Sequence, residues 1–281
     1  MQQEVLLNGR IVPYHEAVVS IDDRGFQFGE GVYEVIRVYR GKPFELERHM
    51  RRLRESAAAV ELGADSALVG LEAQCLEMVR RSGLQEAAIY IQVTSGAHPR
   101  VHLRPQGLTP TVVITVRPAS PPPDETRREG IKVITVPDDR WARCYVKTTQ
   151  LLPNAAARRR AAAAGCDDAI FVRDGFAMEG SASNLFAVFD GVLTTPPASN
   201  YILHGVTRAV VLELAQEVGL PKAERPIPAD RLRYAEELFL TGTVSELTPV
   251  VAVDGAQIGA GRPGPVFARL NEAFQNRVAT F

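Results

Sequence analysis

Apolar and polar positions follow two different periods along this chain, and its elements begin and end where the period changes. Leu6-Leu7-Asn8-Gly9-Arg10-Ile11-Val12 sets Asn-Gly between two short apolar runs, which predicts a hairpin because both turn residues tolerate positive φ. A second hairpin is predicted over Val32 to Leu46, with Arg40-Gly41-Lys42-Pro43 as its turn. From Glu47 to Leu62 the apolar positions Met50, Leu53, Ala57, Ala58 and Val60 recur at helical spacing among arginines, and Gly63 supplies the stop. Another helix is expected from Ser66 to Ser82, again closed by glycine.

Residues 88–94 alternate and residues 111–116 are nearly all apolar, so both read as strands. Pro118-Ala119-Ser120-Pro121-Pro122-Pro123 then breaks the pattern with the composition of a stiff linker. Beyond it, strands are expected near 131–136, 168–173, 184–189, 237–241 and 250–253, and helices near 150–164, 205–218 and 265–278; Asp174-Gly175 and Asp190-Gly191 read as turns. The expected organisation is a small N-terminal α/β domain over 1–117, an interdomain linker over 118–128, and a larger C-terminal α/β domain over 129–281 that carries Lys147. Strand-turn-strand units outnumber strand-helix-strand units, so the fold class is α/β of the α+β type, and no nucleotide-binding glycine loop is present.

Charge narrows the functions. The 281 residues contain 32 Lys or Arg and 33 Asp or Glu, a formal net charge of -1, which leaves no basic excess to coat a nucleic acid. No apolar run approaches the ~18 residues that span a bilayer, and no targeting leader is legible at Met1. Three cysteines without a C-x-x-C pair argue against a disulfide framework and against a cysteine zinc site, so no metal is expected and a reducing, cytoplasmic location fits. Only four of the basic residues are lysines, Lys42, Lys132, Lys147 and Lys222.

Lys147 stands apart from the other three. It ends an aromatic and apolar approach, Trp141-Ala142-Arg143-Cys144-Tyr145-Val146, just before a helix. A lysine drawn into such surroundings is a usable nucleophile toward carbonyls, and the plainer alternative is a snorkelling surface lysine. Glu179 follows a hairpin and is succeeded by Gly180-Ser181-Ala182-Ser183, small residues that let a planar ring approach, although many such glutamates are merely exposed. Gly205-Val206-Thr207-Arg208 opens a helix whose N-terminus could receive a phosphate or simply be capped. Thr241-Gly242-Thr243 ends a strand with further small donors. Arg100 and His102 occupy alternate positions of a loop, and Arg52 lies among other arginines of the first helix.

In order along the chain, these segments resemble the class IV pyridoxal-phosphate aminotransferases, and within them the D-amino acid transaminases. The resemblance runs from Arg24-Gly25-Phe26-Gln27-Phe28-Gly29-Glu30-Gly31-Val32-Tyr33-Glu34-Val35-Ile36-Arg37 through Arg140-Trp141 to Lys147. It continues through Glu179-Gly180-Ser181-Ala182-Ser183-Asn184, Ile202-Leu203-His204-Gly205-Val206-Thr207-Arg208 and Glu237-Leu238-Phe239-Leu240-Thr241-Gly242-Thr243-Val244-Ser245-Glu246. It implies a fold type IV enzyme of two α/β domains that works as a homodimer with pyridoxal 5'-phosphate. Lys147 would hold that cofactor covalently and then act as acid and base. Glu179 would keep the pyridine nitrogen protonated, which lets the ring accept electrons. Arg52, Val206, Thr207 and Thr243 would bind the phosphate, Leu203 would pack on the ring, and Tyr33, Arg100 and His102 would clamp the substrate α-carboxylate. Gly242 stands where a phosphate-binding serine is common, and Ala182 interrupts a serine run; backbone N–H groups or water are left to compensate. The reaction implied moves an amino group from a D-amino acid of the D-alanine or D-glutamate type to 2-oxoglutarate or pyruvate. The related alternatives are branched-chain L-amino acid aminotransferase and aminodeoxychorismate lyase. The first typically has Glu-Gly-Ile-Arg at Glu34-Val35-Ile36-Arg37 and lacks the Arg-x-His pair; the second usually carries Glu-Thr there.

Overall fold

The computed structural model describes residues 4–281. Packing divides the chain into two units, Met1–Ser120 with Val146–Leu151, and Pro121–Tyr145 with Leu152–Phe281.

In the first unit the elements are β1 (Glu4–Leu7), β2 (Arg10–Pro13), α1 (Arg24–Phe28), β3 (Gly31–Tyr39), β4 (Lys42–Pro43), α2 (Leu46–Ala59), α3 (Leu71–Ser82), β5 (Ala87–Thr94) and β6 (Thr111–Pro118). The strands form one antiparallel sheet in the order β2-β1-β6-β5-β3-β4. Asn8 (φ 51°) and Gly9 (φ 77°) make the expected first turn. The second hairpin is much shorter than its pattern suggested, because Phe44 N–H returns to Arg37 O and Glu45, at φ 54°, already starts α2. The helix expected over 66–82 breaks at Gly70, whose φ of 73° is left-handed, so only Leu71–Ser82 is α-helical. Met50, Leu53 and Ala57 of α2 and Leu71, Cys75 and Met78 of α3 are buried together with the sheet residues Ile36, Ile89 and Ile114. The Leu, Ile and Met side chains among them each contribute about 1.5–3 kcal/mol by leaving water.

The second unit comprises α4 (Asp124–Glu129), β7 (Ile131–Pro137), α5 (Leu152–Ala163), β8 (Asp168–Arg173), β9 (Phe176–Gly180), β10 (Asn184–Phe189), β11 (Val192–Thr195), α6 (Val206–Glu217), β12 (Lys222–Glu224), β13 (Ile227–Pro228), β14 (Glu237–Gly242), β15 (Glu246–Val253), β16 (Ala256–Gln257) and α7 (Pro265–Thr280). Strands β10, β14, β15, β7, β8 and β9 follow one another around a ring that closes where β9 pairs with β10, so this sheet is a barrel with short strands added at its edges. Val133, Ile170, Leu185, Leu240 and Val250 belong to one buried cluster of this barrel unit. A second cluster sets Ala157 and Ala161 of α5, one turn apart, with Ala169 and Phe171, where small side chains let helix and sheet approach.

Two features differ from the expected division at 118–128. The end of that segment is helical: Pro123 caps α4, Asp124 and Glu125 lie at its positive end, Arg127 and Arg128 lie at its negative end, and Arg127 is tied to Glu246 at 2.7 Å. Residues Val146–Leu151, with Lys147, pack in the first unit and not with the C-terminal part in which the sequence places them. The cause is an open stretch of strand edge on β3, described below. Among the described residues no helix is long and apolar enough to cross a membrane.

Candidate active site

Strand β3 alternates its side chains, so Tyr33 and Glu34 face opposite ways. At its start, the edge not taken by β5 receives the segment around Lys147. Tyr33 N–H donates to Lys147 O (3.0 Å), Thr149 N–H donates to Gly31 O (3.0 Å), and Lys147 N–H donates to Ser56 Oγ on α2 (3.1 Å). This short ladder fixes the lysine backbone. The half-buried side chain puts Nζ 4.3 Å from the Tyr33 ring centroid, a cation–π contact, and Nζ has no hydrogen bond or ion pair among the described residues. The amine is thus held by an aromatic face rather than by a carboxylate.

Behind this strand lies a charged cluster around Arg52, of which the sequence singles out only the arginine. Glu34 is wholly buried; Arg52 on α2 grips it through Nε (2.7 Å to Oε1) and Nη2 (2.9 Å to Oε2), and His49 Nδ1 lies 2.8 Å from Oε2. Burial raises the Glu34 carboxyl, but the Arg52 charge and the hydrogen bonds of His49 and Arg52 outweigh it and bring it down to about 2. Burial lowers His49, helped by the charges of Arg52 and Lys147 and opposed by Glu34. With Glu34 ionised and the imidazole neutral, the ring proton belongs on Nδ1. Glu34 stands inside the first motif and Arg52 is a phosphate candidate, but only shared burial reveals their pairing with each other and with His49.

Arg100 and His102 are exposed and lie on the loop after β5. They do meet, but through Phe28 rather than through strand alternation: the Arg100 guanidinium is 4.4 Å and the His102 ring 5.6 Å from its centroid. Buried Arg24 braces the loop, donating to Val101 O (2.7 Å) and His102 O (3.0 Å) while pairing with Glu30. Among the described residues no hydrogen bond or ring contact joins Arg100 or His102 to Tyr33 or Lys147, so the three residues expected to clamp the carboxylate are not assembled within this unit.

In the second unit, three neighbouring strands bring the ring-binding candidates together: Glu179 on β9 faces Asn184 on β10, which faces Thr241 on β14. Glu179 Oε2 accepts from Asn184 Nδ2 (3.0 Å) and Leu203 N–H (3.0 Å), and Oε1 accepts from Arg140 Nη1 (2.5 Å). Burial raises the Glu179 carboxyl to about 7, against the pull of Arg140 and of the Leu203 N–H. Asn184 also donates to Leu203 O (2.8 Å), which ties Leu203 to the barrel. Two residues later Gly205 passes so close to Asn184 that a Cβ there would stand 1.9 Å from its Oδ1. Val206 and Thr207 begin α6 with no side chain capping their N–H groups. Buried hydroxyls of Ser183 and Thr241 have no partner among the described residues. Gly242 closes β14 and Thr243 lies in the following turn; a Cβ at Gly242 would sit 2.5 Å from Ser245 Oγ. Asp138, Arg140 and Asn184 are the residues of this group not singled out beforehand, though Arg140 and Asn184 stand inside the motifs.

A mixed-sheet barrel with a buried carboxylate beside an uncapped helix N-terminus, in a chain whose other unit holds an amine on a tyrosine face, defines a class. The class IV amino-transferase family matches residues 31–253, and this chain belongs to it, with the fold type IV architecture expected from its motifs. Among particular proteins, the chain is 40% identical over 275 residues to D-alanine aminotransferase of Bacillus licheniformis, covering 98% of this chain and 97% of that one. It is 38% identical to D-alanine aminotransferase of Listeria innocua, covering 98% and 96%. Among solved structures, the T.th. branched-chain amino acid aminotransferase with pyridoxamine 5'-phosphate superposes with a TM-score of 0.92 at 30% identity, covering 100% of this chain and 95% of that one.

Proposed function

We propose that this chain transfers the amino group of D-alanine, or a D-amino acid of similar size such as D-glutamate, to a 2-oxo acid, with pyridoxal 5'-phosphate as its cofactor. The observation that carries this reading is identity of 40% along nearly the full length of a D-alanine aminotransferase, against 30% for the branched-chain enzyme of nearly superposable fold. The residues present suit the cofactor. Glu179 offers a buried carboxylate to a ring nitrogen, the α6 N-terminus offers uncapped N–H groups to a phosphate, and the unpartnered Ser183 and Thr241 hydroxyls await an acceptor or donor.

When bound, the cofactor supplies the electron sink for the pair released at the substrate Cα. Lys147 would hold it through Nζ and would move the proton at the substrate Cα. Glu179 would keep the ring nitrogen protonated. Arg52, Val206, Thr207, Gly242 and Thr243 would hold the phosphate, Gly242 through its backbone, and Leu203 would pack on the ring. Tyr33, Arg100 and His102 bind the α-carboxylate and thereby decide which face of Cα meets Lys147. The working form is a homodimer, in which a second copy covers the apolar side chains of Ile21 (79% exposed) and Leu103 (86% exposed) in the first unit. Cys75, Cys144 and Cys166 are free thiols, which suits a cytoplasmic protein.

A half-reaction panel tests the reading. Purified protein with its cofactor is mixed with single D- or L-amino acids, and the change in cofactor absorbance is followed. D-alanine is expected to convert it and L-leucine not to; Lys147→Ala abolishes both the visible absorbance and turnover. Conversion by L-leucine alone contradicts the reading and favours the branched-chain alternative.

A further inference from the structure

A buried ion pair beside Glu179 has no task in the reaction as proposed. Asp138, just past β7, has a side chain with no solvent exposure and chelates Arg140 through Nε to Oδ1 (2.8 Å) and Nη2 to Oδ2 (3.0 Å). From β8, Arg173 Nε reaches the same Oδ2 (3.1 Å), and Arg173 Nη2 donates to the carbonyl of Arg140 (2.8 Å). The Arg140 guanidinium lies 4.1 Å from the Phe171 ring centroid, and its Nη2 also donates to Tyr201 O (3.2 Å). Three partners therefore fix the fork, and the arm they leave, Nη1, ends on Glu179 Oε1.

Stability does not explain this arrangement, because a buried pair gains little over apolar packing of the same volume. The surroundings of Glu179 suggest another purpose. A carboxylate taken out of water is driven toward its neutral form. Among the groups that face Glu179, Asn184 Nδ2 and the Leu203 N–H are uncharged donors, Asp138 is a like charge nearby, and the Cys144 thiol is neutral. Arg140 is the cation in direct contact.

We propose that Arg140, clamped by Asp138, is a positioning residue that keeps Glu179 a carboxylate and holds it in one orientation toward the cofactor ring nitrogen. This rests on the cofactor reading above. The division of labour is specific: Asp138 sets the fork, the fork sets the charge of Glu179, and Glu179 alone meets the ring. The fork geometry matters as well as the charge, since a lysine ammonium cannot chelate Asp138 and reach Glu179 at once.

The experiment uses the holoenzyme at pH 8 and three variants, Arg140→Gln, Arg140→Lys and Asp138→Asn. The infrared carbonyl band of a protonated carboxyl is recorded in each and assigned to Glu179 by its loss when Glu179→Gln is added. The band is expected to be absent in the parent protein, strong in Arg140→Gln, weaker in Asp138→Asn, and partly suppressed again in Arg140→Lys. Cofactor affinity, titrated by absorbance on the apoprotein, is expected to fall about tenfold in Arg140→Gln, a factor that corresponds to about 1.4 kcal/mol. A purely structural role lowers melting temperature without producing the band, and that outcome overturns the proposal. If Arg140→Gln does not fold, Asp138→Asn decides alone: a Glu179 that stays ionised there overturns the proposal. A parent protein that takes up no pyridoxal 5'-phosphate overturns the functional reading, and this inference with it.

Discussion

Glu34 engages Arg52 and His49 with both oxygens and has no access to water. Its removal therefore strands a buried guanidinium rather than simply deleting one contact. Glu34→Gln is expected to cost about 3 kcal/mol of stability near neutral pH, within the range for breaking one side of a buried pair. The pH dependence follows from the direction of the shift. The carboxyl is lowered from 4.5 to about 2 in the folded chain, so its stabilising effect is complete above 4.5 and fades as pH falls toward about 2. Urea unfolding from pH 7 to pH 3 is expected to show the parent protein losing its advantage over Glu34→Gln in that window. An advantage independent of pH contradicts the assignment. None of this was legible beforehand. Glu34 sits in a strand pattern in which a charged residue reads as solvent-facing, and Arg52 looks like its neighbours Arg48, Arg51 and Arg54, of which Arg51 and Arg54 are exposed. Lys147 and Glu179 are proposed from the ordered motifs that hold them; Asp138 and Arg140 stand 41 and 39 residues before Glu179, and local pattern carries no record of such pairing.

At the scale of elements, the loop between β5 and β6 carries Arg100 and His102, and its first turn depends on Gly96. That residue has φ 97°, and a Cβ there would stand 2.0 Å from the Thr109 carbonyl oxygen, which is backbone and cannot rotate aside. Its own carbonyl accepts from Arg24 N–H at 2.9 Å. Gly96→Ala forces the two ends of the loop apart and is expected to cost about 1–3 kcal/mol, the range for a strained backbone residue. With substrate binding as the readout, KM for D-alanine rises more than kcat falls, since the clamp moves and the lysine does not. A change in kcat alone contradicts the placement of the clamp on this loop. Turns were the most legible elements. Asn8-Gly9, Asp174-Gly175 and Asp190-Gly191 all adopt positive φ at both residues, and few other dipeptides do so cheaply. Helix boundaries were less so, because Gly70 and Glu45 impose left-handed breaks that apolar spacing does not register.

At the scale of the molecule, the first unit exposes Val18, Ile21, Phe26 and Leu103. Scattered apolar residues are ordinary, but four large ones at high exposure need a cover. Leu103→Asp is expected to shift the protein from dimer to monomer in light scattering after size exclusion. If Arg100 and His102 serve the site of the other copy, activity falls in parallel with dimer content, and activity of an isolated monomer contradicts the proposed assembly. The placement of Lys147 was not legible, since six residues that return to an earlier sheet leave no mark on periodicity.

That return has a consequence for connectivity. The polypeptide leaves the first unit near residue 120, comes back for Val146–Leu151, and departs again. One cut in the 118–128 segment thus yields no fragment that contains a whole first unit. A piece ending at residue 120 retains Tyr33, Glu34 and Arg52 but leaves Tyr33 N–H and Gly31 O without the partners supplied by Lys147 and Thr149. Such a piece amounts to a receptor for its own missing hexapeptide. Nicked protein is therefore expected to stay together and keep its lysine in register until it is denatured, so the chemistry of this chain tolerates a broken backbone at the linker far better than a broken one at Val146.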